Sequence, residues 1–270
     1  MGRLSKGGVE LRIGPDRGES SISTADATSV SVRGLDLAGE LMGHVGFSAF
    51  YFILVAGRRP NDAEQKLLDA ALIAIAEHGI TPSVAAARMT LAAAPEALQG
   101  AVAAGILGCG SKVLGTASEA AQLLEGGVAA VDGDGGRLQE QARSEVARIR
   151  SERKLLPGFG HPLHRPADPR ARRLFALAEE LGTAGLHCQY AMAIEQAANE
   201  AFGRPMVLNV SCAIPAVLLD VGFPARAMRG IPILARTAGL LAHLVEEMER
   251  PAGFAMAGAA ADSMTYVPND

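Results

Sequence analysis

The sequence predicts an all-α fold, and three observations carry that prediction. Apolar residues recur at helical spacing over most of the chain, helix starts are marked by capping residues and prolines, and almost no run alternates with the period of two that a strand needs. Its 270 residues, 49% hydrophobic and 20% charged, suffice for one large or two small domains around a real core and exclude a disordered chain or a coiled-coil rod over most of the length.

Taken in order, residues 1–28 are rich in Gly, Ser and Thr and read as an N-terminal tail or arm, with one alternation at Val9, Leu11 and Ile13. From Leu35 onward the signal is helical. In NDAEQKLLDAALIAIAEH, Leu68, Ala71, Leu72 and Ile75 fall at i, i+3, i+4 and i+7 behind an Asn61 or Asp62 cap, and the helix is expected to end at His78-Gly79. Thr81-Pro82 starts a second helix through SVAAARMTLAAA, and Pro95-Glu96 a third carrying Leu98, Val102 and Ile106. EGGVAAVDGDGG reads as a loop, and Arg137 to Lys154 as a charged, solvated helix. LLPGFGHPLHRPADPR holds too much Pro and Gly for a helix, and Asp168-Pro169 caps the next one, from Arg170 to Leu181. Further helices are expected at Gln189 to Phe202, Ile214 to Val221 and Ala225 to Met248.

Composition excludes several function classes. The formal charge of −4 and the absence of a long Lys/Arg run argue against nucleic acid as a partner. The first twenty residues lack an apolar core, and the greasy stretch from Met89 to Leu107 is broken by Pro95 and Glu96, so neither secretion nor membrane spanning is expected. Cys109, Cys188 and Cys212 are odd in number, widely spaced and outside any zinc-like cluster, which fits reduced thiols in the cytoplasm. GILGCGSKVLG around Lys112 lacks Walker spacing and reads as a close helix-packing turn. DGDGG is no calcium loop, because the twelfth position from Asp132 is Arg143. No metal is called for.

The chemistry-bearing residues are histidines and arginines. In GFGHPLHR, glycines flank Phe159 and let backbone approach a ligand, while His161 projects from a loop stiffened by Pro157 and Pro162 and suits proton transfer to or from an oxygen. Arg165 and Arg170 follow within nine residues. Arg170 stands in a first helical turn, where the helix dipole disfavours a cation, so an anion held bidentately is expected beside it. His78, at EHG, reads as a helix C-cap when taken alone. Arg236 lies in the apolar stretch IPILARTAGLLAH, where a guanidinium must find an anion or reach the edge.

In colinear order, VRGLDLAGELMG, FSAFYFILVAGRRP, AEHGITPSVAAAR, AVAAGILGCGSKVLGTASEA, LLPGFGHPLHRPADPRA, MVLNVSCAIPAVLLDVGFP and ARTAGLLAHLVEEMERP resemble the citrate synthase superfamily over residues 32–268, and more closely its citryl-CoA lyase branch. GFGHP followed by DPR is the most specific of these motifs. The resemblance implies a citrate synthase-like homodimer with shared active sites, a large helical domain over 29–114 and 213–270, and a small helical domain over 115–212. It further implies that His78 and His161 contact a hydroxy-tricarboxylate or oxo-dicarboxylate, that Arg170 and Arg236 clamp its carboxylates, that Arg165 approaches the CoA phosphates, and that Arg250 crosses to the partner's site. CoA enters as part of the thioester substrate, with no permanently bound cofactor.

Two departures from the family pattern bear on the reaction. Leu114-Gly115-Thr116-Ala117-Ser118 stands where synthases carry a His-Gly-Gly-Ala-Asn segment, which points toward the lyase branch. Asn209-Val210-Ser211 stands where the family carries Asn-Val-Asp, and loss of such a proton-moving carboxylate typically forfeits roughly 10²–10⁴ in rate. The leading expectation is a lyase that cleaves a 3-hydroxy-3-carboxyacyl-CoA to acetyl-CoA and an oxo acid, with His161, His78 and Ser211 at the reacting atoms. The alternatives are a citrate or methylcitrate synthase-type condensation, and a catalytically weak homologue or complex subunit that binds a CoA thioester or carboxylate.

Overall fold

A computed structural model describes residues 19–110, 115–160 and 166–268. The chain forms two compact units, one ending at Pro60 and one beginning at Asn61.

The first unit holds the strands that the sequence does not announce. β1 (Ser23–Ala25), β2 (Val30–Val32) and β3 (Leu35–Asp36) form an antiparallel sheet in the order β1-β2-β3, with Val32 opposite Leu35. The two-residue connection Arg33-Gly34 has φ of 52° and 82°, the signature of a type I′ hairpin turn. Strands of two or three residues are too short to show alternation, and β1 falls inside the stretch expected to be an arm. The Val9-Leu11-Ile13 alternation lies outside the described residues. A π-helical turn (Leu37–Leu41) and α1 (Phe47–Ala56) complete the unit, with Val32, Leu41 and Ile53 at its core.

The second unit is helical: α2 (Asp62–Ala76), α3 (Pro82–Ala93), α4 (Leu98–Leu107), α5 (Thr116–Ala130), α6 (Leu138–Ser151), α7 (Pro169–Glu180), α8 (Leu186–Phe202), α9 (Val210–Asp220), α10 (Gly230–Glu249) and α11 (Gly253–Asp262). The expected all-α class therefore holds for this unit. Asn61 is the α2 cap, with a full capping box to Glu64, and Asp168 caps α7 with Pro169 in the first turn, as the sequence predicts. α9 is apolar on all sides. Cys212 to Leu218 are all buried, and α2, α5, α7 and α8 pack around it.

Several boundaries move, each for a physical reason. α5 runs through Gly126 and Gly127, which the sequence assigns to a loop. A Cβ on Gly127 would stand 1.9 Å from Cε1 of the fully buried Tyr190 ring, so tertiary packing overrides the low helix propensity of glycine. Gly127→Ala is accordingly expected to destabilise the protein by about 3 kcal/mol. Denaturant unfolding should then show a lower midpoint at unchanged slope, and an unshifted midpoint would refute the contact. α9 starts at Val210 rather than Ile214, because Asn209 caps it and Pro215 is accommodated inside the helix. Helix α10 starts at Gly230, after a separate 3₁₀ turn over Ala225–Ala227, and α8 starts three residues before the expected Gln189.

At one end of the bundle, α10 is tied to α3 and α11. The buried Arg88 donates to Glu247 Oε2 at 2.6 Å, to Glu246 Oε2 at 2.7 Å and to the Arg250 carbonyl at 3.1 Å. Glu247 Oε1 accepts the N–H groups of Ala252 and Gly253, the start of α11. Each buried charge is thereby paired and hydrogen-bonded.

Candidate active site

The site is built where the C-terminal turn of α2, the N-terminal turns of α7 and α9, and the middle of α10 come together. The packing of α2 against α7, α9 and α10, and of α7 against α9, follows from the apolar faces described above. Small residues let these helices approach. A Cβ on Gly105 of α4 would lie 2.7 Å from Leu240 Cδ1, so the Gly-rich stretch near Cys109 begins as the packing turn its sequence suggests. Lys112 and Leu114 lie outside the described residues.

Arg236 of α10 is buried at 3% exposure. Its Nη2 donates to the Ile75 carbonyl at 3.2 Å, while among the described residues Nε and Nη1 have no hydrogen-bond partner. Burial pushes this guanidinium below its ordinary pKa, and the nearby Arg170 charge pushes the same way, against the attraction of Glu77 and Cys109. Two guanidinium groups therefore share one region in which the inner one keeps unspent donors.

Arg170 stands at the second residue of α7. The anion expected beside it is supplied by the chain itself, since Asp168 Oδ1 accepts from Arg170 N and Nε at 3.0 Å and Oδ2 from Nη2 at 2.8 Å. Asp168, with 0% exposure, also accepts from Val210 N at 3.0 Å and so locks the starts of α7 and α9 together. Burial alone would raise the Asp168 carboxyl pKa, but the Arg170 guanidinium and the two backbone donors outweigh it and hold the group below the usual carboxylate range.

Ser211 is half-buried in the first turn of α9, its N–H donating to Asn209 Oδ1 at 2.9 Å. Pro215 has no N–H to give to the carbonyl four residues back, so the Ser211 carbonyl loses its helical partner. Asn209 also holds the histidine loop. Its N–H donates to the Gly158 carbonyl at 3.0 Å, and its Nδ2 donates to the Gly160 carbonyl at 2.8 Å, beside a β-bridge between Phe159 and Leu208. Gly158, at φ 80°, lies where a Cβ would meet Cys212 Cβ at 2.5 Å, so this glycine serves the approach to α9 rather than to a ligand. His161 and Arg165 continue that loop and lie outside the described residues.

His78 is exposed just beyond α2, which ends at Ala76 rather than at His78-Gly79. Its neighbour Glu77 takes the C-cap position in an extended conformation. The sequence reading missed Glu77 and His243, whose Nε2 lies 3.0 Å from Glu77 Oε2. The helical spacing of His243 from Arg236, seven residues on, is the signal that could have found it. The structure thus sets Arg236 against the end of α2 that precedes His78, with the Arg170 charge near enough to Arg236 to be felt. Arg250 stands apart at the C-cap of α10, with its side chain exposed. Among the described residues no cluster suited to a metal ion occurs, and no helix is long and apolar enough to cross a membrane.

The family model for the citrate synthase C-terminal domain matches residues 19–253. The putative citrate synthase 2 of Mycobacterium tuberculosis is 34% identical over 200 residues, covering 70% of this chain and 49% of that protein. The citrate synthase of Heyndrickxia coagulans is 26% identical over 209 residues, covering 76% and 53%. The chain spans about half the length of the curated relatives it matches. Among solved structures, citryl-CoA lyase from Hydrogenobacter thermophilus superposes with a TM-score of 0.84 at 28% identity, over 96% of each chain. ATP citrate lyase from Methanothrix soehngenii, in complex with citrate and coenzyme A, shares the fold with a TM-score of 0.74 at 20% identity, over 96% of this chain and 43% of that one. The matched family model, the 34% relative and the helical architecture agree, and the chain belongs to the citrate synthase family.

Proposed function

We propose that this protein is a citryl-CoA lyase-like enzyme that cleaves a 3-hydroxy-3-carboxyacyl-CoA to acetyl-CoA and an oxo acid. The observation that carries the reading is Arg236, a buried guanidinium whose Nε and Nη1 have no partner among the described residues, near the charge of a second guanidinium, Arg170. That arrangement matches a small polyanion, whose carboxylate would accept both donors. The end-to-end likeness to a citryl-CoA lyase supports the lyase direction.

In this reading Arg236 and Arg170 bind the carboxylates and His78 bonds the same ligand. His161 takes the proton of the substrate hydroxyl as the carbon–carbon bond breaks, and the departing thioester enolate takes up a proton through water held at Ser211. Arg165 meets the CoA phosphates, with CoA present only as part of the substrate. The large domain comprises 29–114 and 213–270 and the small domain 115–212. Exposed Leu241, Val245 and Met248 on one face of α10, with Phe254 on α11, support a homodimer in which Arg250 reaches the partner's site. The free, buried cysteines fit a cytoplasmic protein.

The test is acetyl-CoA release from citryl-CoA and from related 3-hydroxy-3-carboxyacyl thioesters, for which turnover is expected. A lack of turnover on all of them would overturn the activity. The curated relatives named citrate synthases favour a second reading, condensation of acetyl-CoA with oxaloacetate, and thiol release in that mixture without lyase turnover would establish it. Ser211→Asp separates a lyase from a weak binding homologue. In a lyase adapted to serine, the variant should lower turnover by about 10-fold, whereas a rise would mark a degenerate site.

A further inference from the structure

One face of α10 grips the last turn of α2 at three points. Arg236 Nη2 bonds the Ile75 carbonyl at 3.2 Å. Three residues on, Gly239 packs so closely that a Cβ would stand 2.2 Å from the Ala76 carbonyl and 3.1 Å from Glu77 Oε2. Four residues further, His243 Nε2 lies 3.0 Å from Glu77 Oε2, an ion-pair contact at an angle that falls short of a hydrogen bond. Spacings of three and four residues put all three on one helix face.

Glu77 carries the grip onward to the next two residues. Its Oε1 accepts the N–H of His78 at 2.8 Å and of Gly79 at 2.5 Å, so one carboxylate joins α10 to the backbone that bears the His78 imidazole. A carboxylate at a helix C-terminus is opposed by the helix dipole, so its position there calls for strong local partners. Burial alone would raise its pKa, yet His243 and the two N–H groups hold Glu77 below the usual carboxylate range. His243 is itself enclosed, with its side chain 14% exposed and Nδ1 4.0 Å from Glu246 Oε2.

We propose that Glu77, braced by His243, is a positioning residue that fixes the His78 backbone relative to Arg236, so that imidazole and guanidinium meet the same carboxylate ligand. This rests on the lyase reading for the ligand but not for the geometry. The pair belongs to the site and does not touch the reacting atoms.

Amide hydrogen exchange on the ligand-free protein tests the geometry directly. Glu77→Ala is expected to speed exchange at His78 and Gly79 by about 10-fold or more, with amides inside α2 unchanged. Glu77→Gln keeps an acceptor oxygen and should restore most of the protection. Affinity for oxaloacetate should fall about 10-fold in Glu77→Ala while affinity for free CoA stays put, a split that a general loss of structure would not produce. His243→Leu removes the brace alone and should give the same pattern at smaller amplitude. It also decides the matter if Glu77→Ala does not fold. Unchanged exchange at His78 and Gly79 in the folded variants overturns the proposal. Failure of the wild type to bind oxaloacetate would instead overturn the ligand assignment, with exchange still deciding the positioning role.

Discussion

Arg236→Met is expected to weaken oxaloacetate binding by about 10²–10³-fold, because two charge-assisted hydrogen bonds to a carboxylate are lost together. It should at the same time raise the stability of the ligand-free protein by about 1 kcal/mol, since a buried charge with unpaired donors gives way to an apolar chain of similar length. The opposite signs are what distinguish a ligand-binding arginine from a structural one. Among the described residues Arg236 makes a single hydrogen bond, to the Ile75 carbonyl, while its buried Nε and Nη1 have no partner there. Thermal unfolding with and without ligand reads both effects. Wild type should gain about 2.7 kcal/mol at a ligand concentration of 100 Kd, and the variant at that same concentration no more than about 0.4 kcal/mol. A variant that is less stable and still responds to oxaloacetate would show that Arg236 holds the fold and not the ligand.

The second large effect is expected at Asp168. Asp168→Ala removes one carboxylate from Arg170 and leaves the Val210 N–H buried without the acceptor it has in Asp168, a loss of about 3–5 kcal/mol of the kind seen when one half of a buried ion pair is removed. Binding of oxaloacetate should fall as well, because Arg170 loses the two side-chain hydrogen bonds that Asp168 accepts from it. The pH dependence has a definite sign. The Asp168 pKa is lower in the folded protein than in the unfolded chain, so its contribution is complete above about pH 4 and is lost as the pH falls through the folded value. Acid unfolding of Asp168→Asn should therefore be less steep below pH 4 than that of wild type. Equal slopes would mean that the carboxylate contributes no pairing energy.

Most helices of the second unit are legible because one signal is enough for each. Asn61 with Glu64, and Asp168 with Pro169, are local caps that the fold leaves as they are. What escapes is set by distant partners. Gly126 and Gly127 look like a loop until the Tyr190 ring arrives from α8, and Ile214 looks like a helix start until Asn209, five residues earlier, caps α9. The hairpin around Arg33-Gly34 is too short for periodicity to reveal. At the site, Arg236 is legible as a charge in an apolar stripe. That the anion beside Arg170 is Asp168 could not be read from a dipole argument, because it depends on a carboxylate bending back over its own helix. Glu77 and His243 are 166 positions apart in the chain, and only the packing of α10 on α2 makes them one feature.

The clamp around Arg88 has a consequence for Arg250. Its carbonyl is held by Arg88 and its N–H by the Glu246 carbonyl, yet its side chain extends into solvent. An arm on so fixed a shoulder has only its own rotamers left to lose. Whatever surface receives that guanidinium thus meets it at a constant origin, and the entropy of association is confined to one side chain instead of a whole loop.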